Sequence, residues 1–70
     1  MSMNYAYNYA MIDPTTGMCI EFFSTSHEDT TTPNLVQVPV NDPEYICKYY
    51  INGNWYEDAE GTIPWTSSLL

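Results

Sequence analysis

Polar and apolar residues alternate along most of this chain, and the alternation predicts strands. Over residues 4–13, Tyr5, Tyr7, Tyr9 and Met11 fall on one face and Ala6, Asn8, Ala10 and Ile12 on the other. A period of two with aromatic residues on one side reads as a β-strand. The face of small residues suits close approach of another element. Asp13, Pro14, Thr15, Thr16 and Gly17 then read as a turn, because Pro14 presets φ and Gly17 tolerates a positive φ. Residues 18–25 predict a second strand that closes an antiparallel hairpin. Its alternation places Met18, Ile20 and Phe22 on one face and Cys19, Glu21 and Phe23 on the other.

Residues 26–33 are polar and without period, which predicts an exposed loop. Residues 34–40 predict a third strand with Val36, Val38 and Val40 on one face. Pro39 cannot donate to a ladder, so this strand belongs at an edge or ends early. Asp42, Pro43 and Glu44 have the order of a helix start: a capping side chain, a proline in the first turn, and an acid near the positive end of the dipole. The pattern lasts one turn and places Tyr45 and Ile46 over the sheet. Asn52 and Gly53 separate two aromatic stretches, Tyr49 to Ile51 and Asn54 to Tyr56. Asn-Gly in that position is a strong signal for a two-residue hairpin. The expected fold is therefore mostly β: a small antiparallel sheet of about four to five strands in two hairpins, one short helical turn, and an extended C-terminal tail. Residues 1–60 form the small β domain. Residues 61–70 form the tail, in which Ile63, Trp65, Leu69 and Leu70 are apolar and suited to anchoring on a partner.

Size sharpens that expectation. Seventy residues make one domain at most, with a core that supplies only about 3–5 kcal/mol. Such a chain calls for a staple, a metal or a neighbouring subunit. Cys19 and Cys47 are too few for a disulfide framework. The plain reading is two small buried apolar residues, with a disulfide or a metal role as alternatives. The beginning of the chain has no basic segment followed by an apolar one, so no signal peptide is expected, and synthesis is placed in the cytoplasm. No apolar run reaches the length of a membrane span.

Charge narrows the partners. Nine Asp and Glu face a single basic residue, Lys48, for a net charge of −8. Nucleic-acid phosphates and anionic membranes need clustered Lys and Arg, so neither is an expected partner. Aromatic content is 16%, with seven Tyr and two Trp, more than a small core needs. Tyr and Trp are enriched at protein interfaces. The candidate contact residues are Tyr5, Tyr7, Tyr9, Trp55, Trp65, Leu69 and Leu70. Core packing is the first reading for Trp55, core and interface weigh evenly for Trp65, and an aromatic stripe on a sheet also suits sugars.

Catalytic chemistry finds no foothold in the sequence. His27, Glu28 and Asp29 are adjacent in a loop, with no nucleophile placed beside them and no zinc-ligand spacing. Glu57, Asp58 and Glu60 carry oxygen ligands of the type Ca²⁺ prefers, without the twelve-residue loop pattern. Solvated loops explain both clusters. Three glycines allow no phosphate-cradling loop. The expectation is a non-enzyme without cofactor or metal.

The order of these segments resembles a known class of proteins. Tyr9 to Asp13 is followed by the turn at 14–17 and then Met18, Cys19 and Ile20. After the polar stretch come the valine-rich residues 35–40, then Asp42, Pro43, Glu44 and Tyr45. Lys48, Tyr49, Tyr50, Ile51, Asn52, Gly53, Asn54 and Trp55 complete the series. This succession of turns and aromatics over residues 5–58 resembles small bacteriophage tail and tail-fibre modules. The scarcity of Lys and Arg departs from that pattern. The resemblance implies a virion component held in multiple copies, or as a homo-oligomer, on a larger virion protein and released by lysis. A second expectation, motivated by the charge, is an acidic phage inhibitor of a host nucleic-acid-binding or defence protein. A third is a carbohydrate-binding tail-tip module.

Overall fold

A computed structural model describes residues 7–70. Five strands and one 3₁₀ turn follow in order: β1 (Tyr7–Ile12), β2 (Cys19–Thr25), β3 (Leu35–Val38), the turn Pro43–Tyr45, β4 (Tyr49–Ile51) and β5 (Asn54–Tyr56). The fold is mostly β, as the alternation predicts. The strands divide between two antiparallel sheets rather than forming one: β2-β1-β3 and β4-β5. Tyr5 lies outside the described residues.

β1 is the central strand, pairing with β2 on one side and β3 on the other. The first hairpin closes where Gly17 donates to the Asp13 carbonyl at 2.7 Å and Thr15 N–H donates to Asp13 Oδ1 at 2.9 Å. Gly17 takes φ +81°. β3 lies at the sheet edge and stops before Pro39, for the reason the sequence supplies: proline has no N–H for a ladder.

Strict alternation fails in β2. Met11 pairs with Glu21, but its neighbour Ile12 pairs with Cys19. Ile20 is the extra residue of a β-bulge. The bulge corrects the predicted faces. Cys19 leaves the Glu21 face and enters the core, while Ile20 leaves the Phe22 face and becomes exposed.

The small face of β1 meets the main core. Ala10, Cys19, Val38 and Tyr45 form the buried cluster, with Ile12, Phe22, Val36, Val40, Trp55 and Trp65 packed against it. Tyr45 arrives on the 3₁₀ turn. Asp42 starts that turn by accepting from Glu44 N–H at 2.9 Å, with Pro43 in the first position. The Tyr45 ring stacks on Phe22 with centroids 5.8 Å apart. Ile46 does not follow it over the sheet and is exposed.

The opposite face of the sheet has its own cover. Tyr9 packs against Phe23 at 5.6 Å, and its hydroxyl accepts from Asp29 N–H at 2.9 Å. The loop 26–33 thus closes over the tyrosine.

A short ladder joins the two sheets. Cys19 N–H donates to Lys48 O, and Tyr50 N–H to Gly17 O. The β4–β5 hairpin turns at Asn52 and Gly53, with φ +51° and +86°. Both values are positive, as the hairpin turn with Asn-Gly requires.

Residues 63–65 run alongside β5. Glu57 N–H donates to Ile63 O at 2.8 Å, and Trp65 N–H to Trp55 O at 3.0 Å. Tyr56 and Pro64 form an antiparallel bridge. The chain reaches this position through a turn built by Asp58, whose carboxylate accepts from Thr62 and Ile63.

Candidate functional site

Residues 64–67 and the β4–β5 hairpin flank an open cleft of about 490 Å³. Its origin is local. The hairpin turn carries Asn54, Trp55 and Tyr56 to the surface, and the backbone bond from Trp65 N–H to Trp55 O sets the second tryptophan beside the first. Tyr45 lies between them. Its ring meets Trp55 and Trp65 edge-on, each at 4.8 Å between centroids. Tyr50 packs on Trp55 at 5.0 Å. Such edge-to-face contacts add to stability beyond the area they bury. Lys48 Nζ lies 5.1 Å from the Trp65 ring centroid, a cation–π contact that engages the single basic residue of the chain. Burial, and Asp42 nearby, push the Tyr45 phenol above its ordinary pKa.

The candidate contact residues separate. Tyr9 is 3% exposed and offers a partner almost no surface. Tyr7, Trp55 and Trp65 are half-buried, and both tryptophans serve core and cleft together. Leu69 and Leu70 are exposed. Tyr5 is not among the described residues.

Sequence reasoning named Ile63, Leu69 and Leu70 as surface anchors but missed the exposure of Ile20 and Ile46. The chain has five Ile and three Leu, and none is buried. Ile20, Ile46, Ile63, Leu69 and Leu70 are 40–65% exposed. Ile20 and Ile46 adjoin Cys19 and Cys47, whose backbones are joined by a 2.8 Å hydrogen bond. This brings two exposed isoleucines to the junction between the sheets. No periodic signal announced them. The bulge displaces Ile20, and the positive φ of Cys47, +76°, turns the chain immediately after Ile46.

The two acidic clusters are turn-builders. Asp29 accepts from Thr31 N–H, Thr32 N–H and the Thr32 hydroxyl. These bonds, the Thr32 hydroxyl first, pull its pKa down to about 2. Asp58 is lowered for the same reason, chiefly by the Thr62 hydroxyl and then by Ile63 N–H. Among the described residues, no group of three His, Cys, Asp or Glu gathers to hold a metal ion. Cys19 is buried and Cys47 exposed, both as free thiols. The expectation of two buried cysteines therefore fails at Cys47. Burial raises the Cys19 thiol pKa, and the nearby Cys47 adds to the effect.

Compared with protein-family models, curated proteins and solved structures, the chain matches none. No helix among the described residues is long and apolar enough to cross a membrane.

Proposed function

We propose that this chain is a non-catalytic structural and interaction protein, held in multiple copies in a larger assembly. The observation that carries this reading is the inversion of its aliphatics. A chain with little core leaves Ile20, Ile46, Ile63, Leu69 and Leu70 40–65% exposed to water. Full burial of such a side chain is worth about 1.5–3 kcal/mol. Covering them would supply what so small a core lacks. The setting we propose is a bacteriophage virion, as a tail, fibre or capsid accessory component. Its support is the resemblance of the turn-and-aromatic order over residues 5–58.

The net charge of −8 also motivates an acidic decoy for a nucleic-acid-binding protein. The carboxylates argue against it. Asp29 and Asp58 are committed to their own loops, and Asp42 is 4% exposed. A phosphate mimic needs its charges spaced along one open surface.

Mass spectrometry of purified virions tests the setting. The proposal expects the protein in particles at a fixed copy number. Its absence from particles, together with salt-sensitive binding to a DNA-binding protein, would transfer the assignment to the decoy.

A further inference from the structure

Cys19 and Cys47 are distant in the chain and meet where the two sheets join. Cys47 N–H donates to the Cys19 carbonyl at 2.8 Å, and Cys19 N–H donates to the Lys48 carbonyl at 2.8 Å. Standard bond lengths on either side of the first bond hold the two Cα atoms within about 6.7 Å. Native disulfides span about 4.4–6.8 Å between Cα atoms, so the backbone already brings the pair within bridging reach. Burial raises the Cys19 pKa, and the charge of a Cys47 thiolate adds to the rise, so the two sulfurs are near enough to interact.

Their settings differ. Cys19 is 0% exposed, and its thiol donates to the Glu21 carbonyl at 3.3 Å. Cys47 is open to solvent. One thiol is accessible to an outside reagent, and the other is sheltered beside it. The backbone at Cys47 adds a second mark. Among the described residues, the non-glycine positions with positive φ are Asn34, Cys47 and Asn52. Asparagine tolerates that region, whereas cysteine has no such tolerance. A residue held there against its preference points to a use for its side chain.

We infer that Cys19 and Cys47 form a redox pair that closes into a disulfide and staples the two sheets. The oxidant is a low-molecular-weight disulfide such as oxidised glutathione. The Cys47 thiol gives its proton to solvent, and the thiolate attacks one glutathione sulfur. A mixed disulfide forms, and one glutathione thiolate leaves. The Cys19 thiolate then attacks the Cys47 sulfur. The Cys19–Cys47 bond forms, and the second glutathione leaves as a thiolate and takes up a proton. The protein loses two hydrogens and two electrons, which reduce one glutathione disulfide to two thiols. Burial withholds the Cys19 thiolate, so the second step is the slower one and waits on local opening of the core. The bond closes a loop that carries β3 and the 3₁₀ turn, and it supplies the staple that a chain of this size calls for. This inference goes beyond the assembly role and does not depend on it.

The test is incubation of the dilute, reduced protein in a series of glutathione buffers from reducing to oxidising. Intact mass, peptide mapping and thermal melting are the readouts. The chain is expected to lose two hydrogens and to yield a Cys19–Cys47 linked peptide. The oxidised form should melt about 10 °C above the reduced one. Cys19→Ala should stop at the first step and retain one glutathione on Cys47, with Cys19→Val used where the smaller side chain fails to fold. Cys47→Ser should take up none. A parent chain that retains glutathione on Cys47, or links to a second copy rather than to itself, would overturn the inference. So would an oxidised form that melts no higher than the reduced one. Light scattering on the reduced sample reads self-association separately, so either conclusion can fail alone.

Discussion

Ser67 donates its hydroxyl hydrogen to Oδ2 of Asp42 across 2.5 Å, linking residues 25 apart in sequence. Both are 4% exposed. The other oxygen of the same carboxylate accepts from Glu44 N–H. One aspartate thus starts the 3₁₀ turn that delivers Tyr45 and also fastens the chain that brings Trp65. Removing Ser67 leaves a buried carboxylate short of a donor. Ser67→Ala is expected to cost about 1–3 kcal/mol in urea unfolding. Asp42→Ala also removes the cap, worth a further 0.5–2 kcal/mol or about that. Variants as stable as the parent would show that this link holds nothing.

Acid should act first on the loops. Hydrogen bonds favour ionised Asp29 and hold its pKa near about 2, below the ordinary 3.8. A depressed folded-state pKa contributes stability above the unfolded value, and that contribution is lost as pH falls through the folded one. The loop 26–33, and with it the cover over Tyr9, should weaken from about pH 4 down to pH 2. Carboxyl NMR should place the Asp29 midpoint well under 3.8, and Thr32→Val should raise it. An ordinary midpoint would contradict the hydrogen-bonded loop.

The two thiols should differ sharply. Thiolate is the reactive form; burial disfavours it at Cys19, while Cys47 is open to solvent. An alkylating reagent should label one cysteine quickly and the second only on unfolding. Peptide mapping should assign the fast site to Cys47. Equal rates would mean that the core around Cys19 opens readily.

Gly53 is a clean probe of backbone strain. It sits at φ +86°, and a Cβ there would touch nothing within 4 Å. Gly53→Ala should therefore cost only the left-handed penalty, about 1–2 kcal/mol, read as a drop in melting temperature of several degrees. No drop would indicate a different hairpin turn.

Local chemistry was legible in the sequence, and long-range chemistry was not. The hairpin at Asn52 and Gly53, the cap at Asp42 and the edge position forced by Pro39 each depend on residues within a few positions. The bulge at Ile20 depends on where Ile12 finds its partner, and alternation within β2 carries no trace of it. Cys47 illustrates the same limit: it takes a positive φ and bonds to the Cys19 carbonyl, 28 positions away, and neither is marked in the sequence around it. The Tyr stripe was read as a contact surface, but Tyr9 is claimed by the loop that follows β2. Of the candidate site, both tryptophans were evident from their chemistry. Tyr45 packed against both tryptophans was not, because those contacts join residues 10 and 20 positions apart.

The central claim is that the exposed isoleucines and leucines are covered in an assembly. Multi-angle light scattering at about 10 and about 200 μM, a range that resolves micromolar association, tests it most directly. The account predicts a multimer at the higher concentration, reduced to monomer when Ile20 and Ile46 are replaced by serine. A monomer at both concentrations would contradict it.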